Sequence, residues 1–154
     1  MSRVALLDVN LLIALFDPDH VHHELAHDWF EHNRAAGWAT CPLTENAFLR
    51  ILSNPAYGLP LTRVASLALS LGAFCKTGQH HFWHDEVSLR DATLFDLALT
   101  GHRHLTDVYL LGLAKKMGGR LATFDRTIPA KAVKGAGRET LEVISPADQS
   151  TVHN

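Results

Sequence analysis

The stretch HLTDVYLLGLAKKMGGRLATFDR, His104 to Arg126, spells a helix, a turn and a strand in succession. Thr106 is placed to cap the helix, and Asp107 then falls in its first turn, where unpaired backbone N–H groups and the helix dipole favour a carboxylate. Tyr109, Leu110, Leu113, Ala114 and Met117 recur at helical spacing. Gly118-Gly119 stops the helix, with Lys115 and Lys116 in its last turn, and Arg120 to Phe124 is a mostly apolar run of strand length. Asp125 closes that strand. Taken singly, Asp107 is what a helix start ordinarily carries and Asp125 what a turn ordinarily carries. The positions of the chain's other acids change that balance.

Working outward, Arg3 to Leu7 is a second strand-like run, and it ends at Asp8. A short apolar helix, Leu11 to Phe16, follows and is broken by Asp17-Pro18. An amphipathic helix is expected from about His20 to Arg34 with Leu25, Trp29 and Phe30 inward, then a strand from Trp38 to Cys41. Pro42 suits the first position of the next helix, which carries Glu45 in its opening turn and turns Ala47, Phe48, Ile51 and Leu52 inward before Asn54-Pro55. A Leu- and Ala-rich helix from Thr62 to Cys75, a strand from His80 to His84, one helical turn near Leu94 to Leu97 and a last strand from Thr140 to Ile144 complete the expected elements. Strands alternating with helices indicate an α/β domain with a parallel sheet, one domain over residues 1–145 with a frayed tail over 146–154.

In such sheets the ligand crevice lies beyond the carboxyl ends of the strands. Asp8 and Asp125 end strands while Glu45 and Asp107 begin helices, so all four acids belong to one edge. Clustered carboxylates repel: two unit charges about 4 Å apart cost roughly 4 kcal/mol at an effective dielectric near 20. A small domain tolerates that when cations or protons compensate. A site of oxygen donors, without thiolate or imidazole, suits a hard ion such as Mg²⁺ or Mn²⁺, and such an ion commonly serves phosphodiester hydrolysis.

Composition sets the limits around this reading. The 154 residues are 47% hydrophobic and 19% charged with a formal net charge of -2, which describes a folded domain without a global nucleic-acid signal. Seven of the 14 Lys and Arg nevertheless fall between Lys115 and Arg138, around Asp125, which is the pattern of a phosphate-contacting surface or of a solvated face. Cys41 and Cys75 stand at no metal-like or redox-like spacing, and reduced thiols in a cytoplasmic protein are expected. The apolar run Val4 to Phe16 is interrupted by Asp8 and Asn10 and is too short to span a bilayer.

DVN at Asp8, TENAFLR with Glu45 and Arg50, HLTDVYLLGLA with Asp107, and LATFDR with Thr123, Asp125 and Arg126 together resemble the PIN-domain ribonucleases, specifically the VapC toxins of toxin-antitoxin pairs. The resemblance runs in order across nearly the whole chain. It implies a three-layer PIN-like fold and a Mg²⁺- or Mn²⁺-dependent endoribonuclease, a hydrolase of RNA phosphodiester bonds. It also implies a homodimer and a partner antitoxin of the VapB type that silences the site. Carried over by position, Asp8 and Asp107 are the foremost metal ligands, Glu45 and Asp125 complete the site directly or through water, and one of the acids orients or deprotonates the attacking water. Asn10 and Thr123 match positions that hold the acids by hydrogen bonds, although local capping explains them equally well. Arg50 and Arg126 match possible contacts to RNA or antitoxin, or are ordinary surface residues.

His23-Glu24-Leu25-Ala26-His27 is a literal H-E-x-x-H on an expected helix. In a chain with 11 His, chance alone produces such a match about 3% of the time. The extended signature is missing, since Phe30 stands three places beyond His27 and no third His follows in register. A zinc protease is therefore a remote reading, and a surface His pair that picks up Zn²⁺ or Ni²⁺ a nearer one. A non-catalytic module that binds RNA or an antitoxin is the main rival to the nuclease. Leu67, Leu69, Leu71 and Phe74 exceed what one small core obviously needs, so core packing and a dimer or antitoxin surface are both open to them.

Overall fold

The computed structural model describes residues 3–60 and 63–146. The expected helix start at Thr62 and all of the expected frayed tail except Pro146 lie outside the described residues. Among the described residues, five strands, β1 (Ala5–Leu7), β2 (Trp38–Thr40), β3 (His80–Phe82), β4 (Arg120–Thr123) and β5 (Leu141–Val143), form one sheet in the order β3-β2-β1-β4-β5. Every pairing is parallel, with Leu6 beside Ala39 on one side and Leu121 on the other. The α-helices among the described residues connect or flank the strands: α1 (Val9–Phe16), α2 (His23–Asn33), α3 (Pro42–Ser53), α4 (Val64–Cys75) and α5 (Leu105–Lys116).

Strand side chains alternate between two cores, as a period of two requires. Ala5, Leu7, Trp38 and Ala122 face one side, where Leu11, Leu12, Phe30, Phe48, Leu52, Leu67 and Leu71 from α1 to α4 meet them. Leu6, Ala39 and Leu121 face the other, against Val108, Leu110, Leu111 and Leu113 of α5 with Trp83, Phe95 and Val133 from the loops. The result is the α/β domain with a parallel sheet expected from the alternation of strands and helices, in the three layers that the resemblance implies.

Chain order explains where a site can form. From β1 the chain moves outward to β2 and β3, then returns to the opposite side of β1 for β4 and β5. Consecutive crossovers thus leave β1 and β4 in opposite directions, and the crevice beyond their carboxyl ends is the topological switch point of the sheet. Asp8 directly follows β1, and Asp125 lies two residues past the end of β4.

Several boundaries differ from expectation for local physical reasons. Asp8 itself caps α1, its Oδ1 accepting from the Val9 N–H at 2.7 Å, so the helix begins two residues earlier than Leu11. Helix α5 begins at Leu105, behind a 3-10 turn over His102–His104, and its N-cap is His104 rather than Thr106. The α5 glycine pair divides two tasks. Gly118 takes φ +71, which ends the helix, and a Cβ at Gly119 would collide with the Val4 carbonyl oxygen and the Trp83 ring. Met117 is exposed rather than inward, whereas Val108, Leu111 and Gly112 are buried, because α5 packs on both the sheet and the long loop that carries Phe95. Ala47 and Ile51 of α3 are half-buried beside the buried Phe48 and Leu52, and Leu25 of α2 is half-buried too. The helical turn expected at Leu94 to Leu97 forms at Leu97–Leu99, where Asp96 caps it by accepting from the Ala98 N–H. On α4, Leu67 and Leu71 are buried and Phe74 joins the core, while Leu69 is 77% exposed.

Candidate active site

The site is organised by a buried hydroxyl. Thr123, the last residue of β4, is fully buried, and its Oγ1 donates to Asp8 Oδ2 at 2.7 Å. The same oxygen accepts from Asn10 Nδ2 at 3.2 Å and from the Asp125 backbone N–H at 3.0 Å. Asn10 in turn accepts from the Phe124 N–H at 3.4 Å. One donor and two acceptor positions exhaust what a hydroxyl offers. Thr123 thereby ties the end of β1, the start of α1 and the turn after β4 together; it bonds Asp8 directly, whereas Asn10 reaches Thr123 and the Phe124 N–H and neither acid.

Asp8 is 2% exposed. Burial pushes its carboxyl up to about 6, with the negative charges of Asp107 and Asp125 adding to the rise and the Thr123 and Val9 hydrogen bonds opposing it. Asp107, in the first turn of α5, is also raised, mainly by burial and further by Asp125, while its contact with His104 pulls the other way. Asp125 is held below the usual carboxylate range, because Thr127 donates both its hydroxyl, at 2.6 Å, and its backbone N–H, at 2.8 Å, to Oδ1. Asp8, Asp107 and Asp125 therefore share one electrostatic site, and each addition of negative charge makes the next harder to hold.

Glu45 is placed differently. Its carboxylate accepts from the buried Thr40 hydroxyl at 2.6 Å, and Thr40 Oγ1 lies 2.8 Å from His80 Nε2. With the Thr40 proton committed to Glu45, His80 donates in turn, which fixes its Nε2–H tautomer. Burial lowers the His80 pKa, and the nearby Glu45 charge resists that fall. Glu45 is thus anchored on the β2–β3 side of the edge by its own relay, and it does not figure among the charges that raise Asp8 or Asp107.

The expectation of a site without imidazole is overturned. His104 Nδ1 lies 3.4 Å from Asp107 Oδ2, and one donor atom each from His104, Asp107 and Asp125 fit within 4.8 Å of one another. This is the grouping among the described residues able to surround a metal ion. The readable signal was the spacing His104-Leu-Thr-Asp107, since residues three apart at a helix start share a face.

The basic segment divides. Arg120 turns to the opposite end of the sheet, where it pairs with Glu142 at 2.8 Å and donates to the Arg3 carbonyl and Asn33, so it is no part of a phosphate surface around Asp125. Lys134 donates to the Ala92 carbonyl at 2.6 Å. Arg126, directly after Asp125, is exposed, as are Lys116, Lys131 and Arg138, and Arg50 is exposed in the last turn of α3. The H-E-x-x-H pair serves the fold. His23 Nδ1 reaches the Ala14 carbonyl at 2.7 Å and His27 Nε2 the Leu15 carbonyl at 2.8 Å, satisfying two carbonyls that the end of α1 leaves unpaired.

The PIN domain family model matches residues 5–134. The chain is 41% identical over 141 residues to Ribonuclease VapC44 of Mycobacterium tuberculosis, covering 91% of this chain and 99% of that protein. It is 43% identical over 132 residues to Ribonuclease VapC39 of the same organism, covering 85% and 95%, and 43% identical over 122 residues to Ribonuclease VapC38, covering 79% and 85%.

Proposed function

The chain belongs to the PIN-domain family, with the VapC-type ribonucleases, and on that footing we propose that it is a divalent-metal-dependent endoribonuclease, the toxin of a toxin-antitoxin pair. The observation that carries this reading is the group at the β1/β4 switch point, where the charges of Asp107 and Asp125 bear on the buried Asp8 and His104 adds a nitrogen donor. Carboxyls raised by burial, with neighbouring negative charge adding to the rise as at Asp8 and Asp107, gather at functional sites, and a cation is what would relieve them.

The donor set fits such an ion. Asp107, Asp125 and His104 would hold Mg²⁺ or Mn²⁺, Asp8 would sit behind them as a buried charge or ligand, and Glu45 would reach the site directly or through water. When bound, the ion supplies Lewis acidity to the phosphodiester and lowers the pKa of water. The chain's own residues do the rest. Thr123 and Asn10 keep Asp8 and the Asp125 turn at fixed separation. One of the acids orients the attacking water and takes its proton as the new P–O bond forms. The phosphodiester's P–O bond to the leaving ribose oxygen then breaks, and that oxygen is protonated from solvent. Arg126, exposed beside Asp125, is placed to meet an RNA phosphate or an antitoxin carboxylate.

The partners follow from the same reading: an RNA substrate in the cytoplasm, a VapB-type antitoxin, and a second copy of the chain. The exposed Leu69 and Val64 of α4 support the homodimer, which light scattering at micromolar concentration checks. No helix among the described residues is long and apolar enough to cross a membrane. The test is cleavage of fluorophore-quencher RNA oligonucleotides with Mg²⁺, Mn²⁺ or EDTA, beside Asp107→Asn. Cleavage that needs the ion and is lost in the folded variant supports the nuclease; binding without cleavage under every condition leaves a non-catalytic module instead.

A further inference from the structure

We propose that His104 is a direct nitrogen ligand of the active-site ion, and that it makes this site select Mn²⁺ over Mg²⁺. The inference rests on the metal-dependent reading above and adds to it the identity of the ion.

The geometry starts from the backbone. His104 ends the 3-10 turn over His102–His104 and is the N-cap of α5, with φ -108 and ψ 7, so its side chain stands over the first turn three residues before Asp107. Its Nδ1 is 3.4 Å from Asp107 Oδ2, and the two side chains are 30% and 20% exposed, open enough for an ion and shielded enough to hold one. The Asp125 carboxylate completes the set within 4.8 Å. Thr127 occupies Asp125 Oδ1 with two hydrogen bonds, which fixes the carboxylate and leaves Oδ2 for a ligand. Six donors about 2.1 Å from an ion lie roughly 3 Å apart when adjacent and roughly 4.2 Å apart when opposite. The 3.4 Å between His104 Nδ1 and Asp107 Oδ2 is near the adjacent spacing, and side-chain rotation about the 4.8 Å set would close the remainder on an ion.

The chemistry then separates the ions. Mg²⁺ is hard, holds its waters and accepts oxygen almost exclusively, so an imidazole beside it adds little. Mn²⁺ accepts carboxylate and water like Mg²⁺ but binds imidazole better, as divalent transition ions do. A site of two carboxylates and one imidazole is therefore poorly spent on Mg²⁺. To ligate through Nδ1, His104 must carry its proton on Nε2 and give up its contact with Asp107, whose carboxylate turns to the same ion. Glu45 and its Thr40–His80 relay stay outside this exchange.

The experiment uses the full chain, freed of any antitoxin, with Mn²⁺ as the spectroscopic probe. Electron spin-echo envelope modulation on bound Mn²⁺ detects a directly ligated imidazole through its ¹⁴N coupling. Titrations of Mn²⁺, followed by displacement with Mg²⁺, are run on wild type, His104→Asn and Asp107→Asn. Asparagine is a good N-cap, so His104→Asn keeps the start of α5. The expected result is ¹⁴N modulation in wild type that is absent in His104→Asn, with Mn²⁺ affinity falling at least about tenfold and Mg²⁺ affinity changing less than about twofold. Mn²⁺ that binds in wild type and is lost in Asp107→Asn, yet shows no imidazole coupling, overturns the role of His104 and leaves the nuclease reading intact. Equal weakening of both ions in His104→Asn overturns the selectivity. Failure of wild type to bind Mn²⁺ overturns this inference, and failure to bind Mg²⁺ as well overturns the metal-dependent reading with it.

Discussion

Replacing Asp8 by Asn should stabilise the metal-free protein at neutral pH while removing its activity. Burial and the neighbouring carboxylates raise Asp8 from 3.8 to about 6, so the ionised form costs the fold about 3 kcal/mol relative to the unfolded chain. The sign is that of a carboxyl whose folded pKa exceeds its unfolded value. Well below 3.8, the unfolded value, both states hold the proton and no penalty exists. As pH rises, the unfolded chain ionises first and stability falls, until above pH 6 both states are ionised and the penalty is constant. It amounts to about 1 kcal/mol at pH 4.5 and about 3 kcal/mol by pH 7.5. Asparagine escapes it, but its amide nitrogen cannot accept, so it keeps only one of the hydrogen bonds from Val9 and Thr123, a loss of about 1 kcal/mol at every pH. Asp8→Asn should therefore match wild type near pH 4.5 and exceed it by about 2 kcal/mol near pH 7.5. Urea unfolding in EDTA across that range measures the difference directly. A difference that stays flat with pH, or a variant less stable at pH 7.5, refutes the placement of Asp8 as a buried, crowded carboxylate.

Thr123→Val removes the hydroxyl shared by Asp8, Asn10 and the Asp125 N–H, and urea unfolding at pH 7.5 should show a loss of about 2–3 kcal/mol. His27→Ala leaves the Leu15 carbonyl without its partner; thermal unfolding should report about 1 kcal/mol lost, with RNA cleavage unchanged and no peptidase activity in either protein. Tyr57→Phe takes a 2.6 Å hydrogen bond from the buried Asp17 that ends α1, for an expected cost of about 1.5–3 kcal/mol by chemical denaturation. Gly112→Ala drives a methyl into the Phe95 ring on the buried face of α5, and overpacking of about 1–3 kcal/mol should appear as a lowered unfolding midpoint.

Local patterns carried most of the architecture. Strand-length apolar runs ending in Asp8 and near Asp125, Pro42 at the first position of α3 and Gly118-Gly119 after α5 are signals within a few residues of the features they produce. Their alternation sufficed for a parallel sheet, and a parallel sheet sufficed to gather the acids at one edge. What stayed hidden depended on partners distant in sequence. The start of α5 looked like Thr106 because threonine caps helices, but the 3-10 turn before it gave that place to His104. Arg120 counted toward a basic surface until Glu142, on the neighbouring strand, claimed it at the far end of the sheet. His23 and His27 spelled a zinc motif, yet the carbonyls they cap belong to a helix nine and twelve residues earlier. Glu45 was read as completing the site behind Asp8 and Asp107, directly or through water, and only the fold shows it tethered through Thr40 to His80 on another strand.

The central claim, that this crowded edge cuts RNA with the help of a divalent ion, is tested most directly by mapping new 5′ ends in total cellular RNA. The purified protein is incubated with that RNA and Mn²⁺ or Mg²⁺, with EDTA, and beside folded Asp8→Asn and Asp107→Asn variants. The account predicts discrete cuts that appear only with the ion and vanish in both variants. RNA that stays intact with verified ion binding and no antitoxin present, or cuts that persist in both variants, would contradict it.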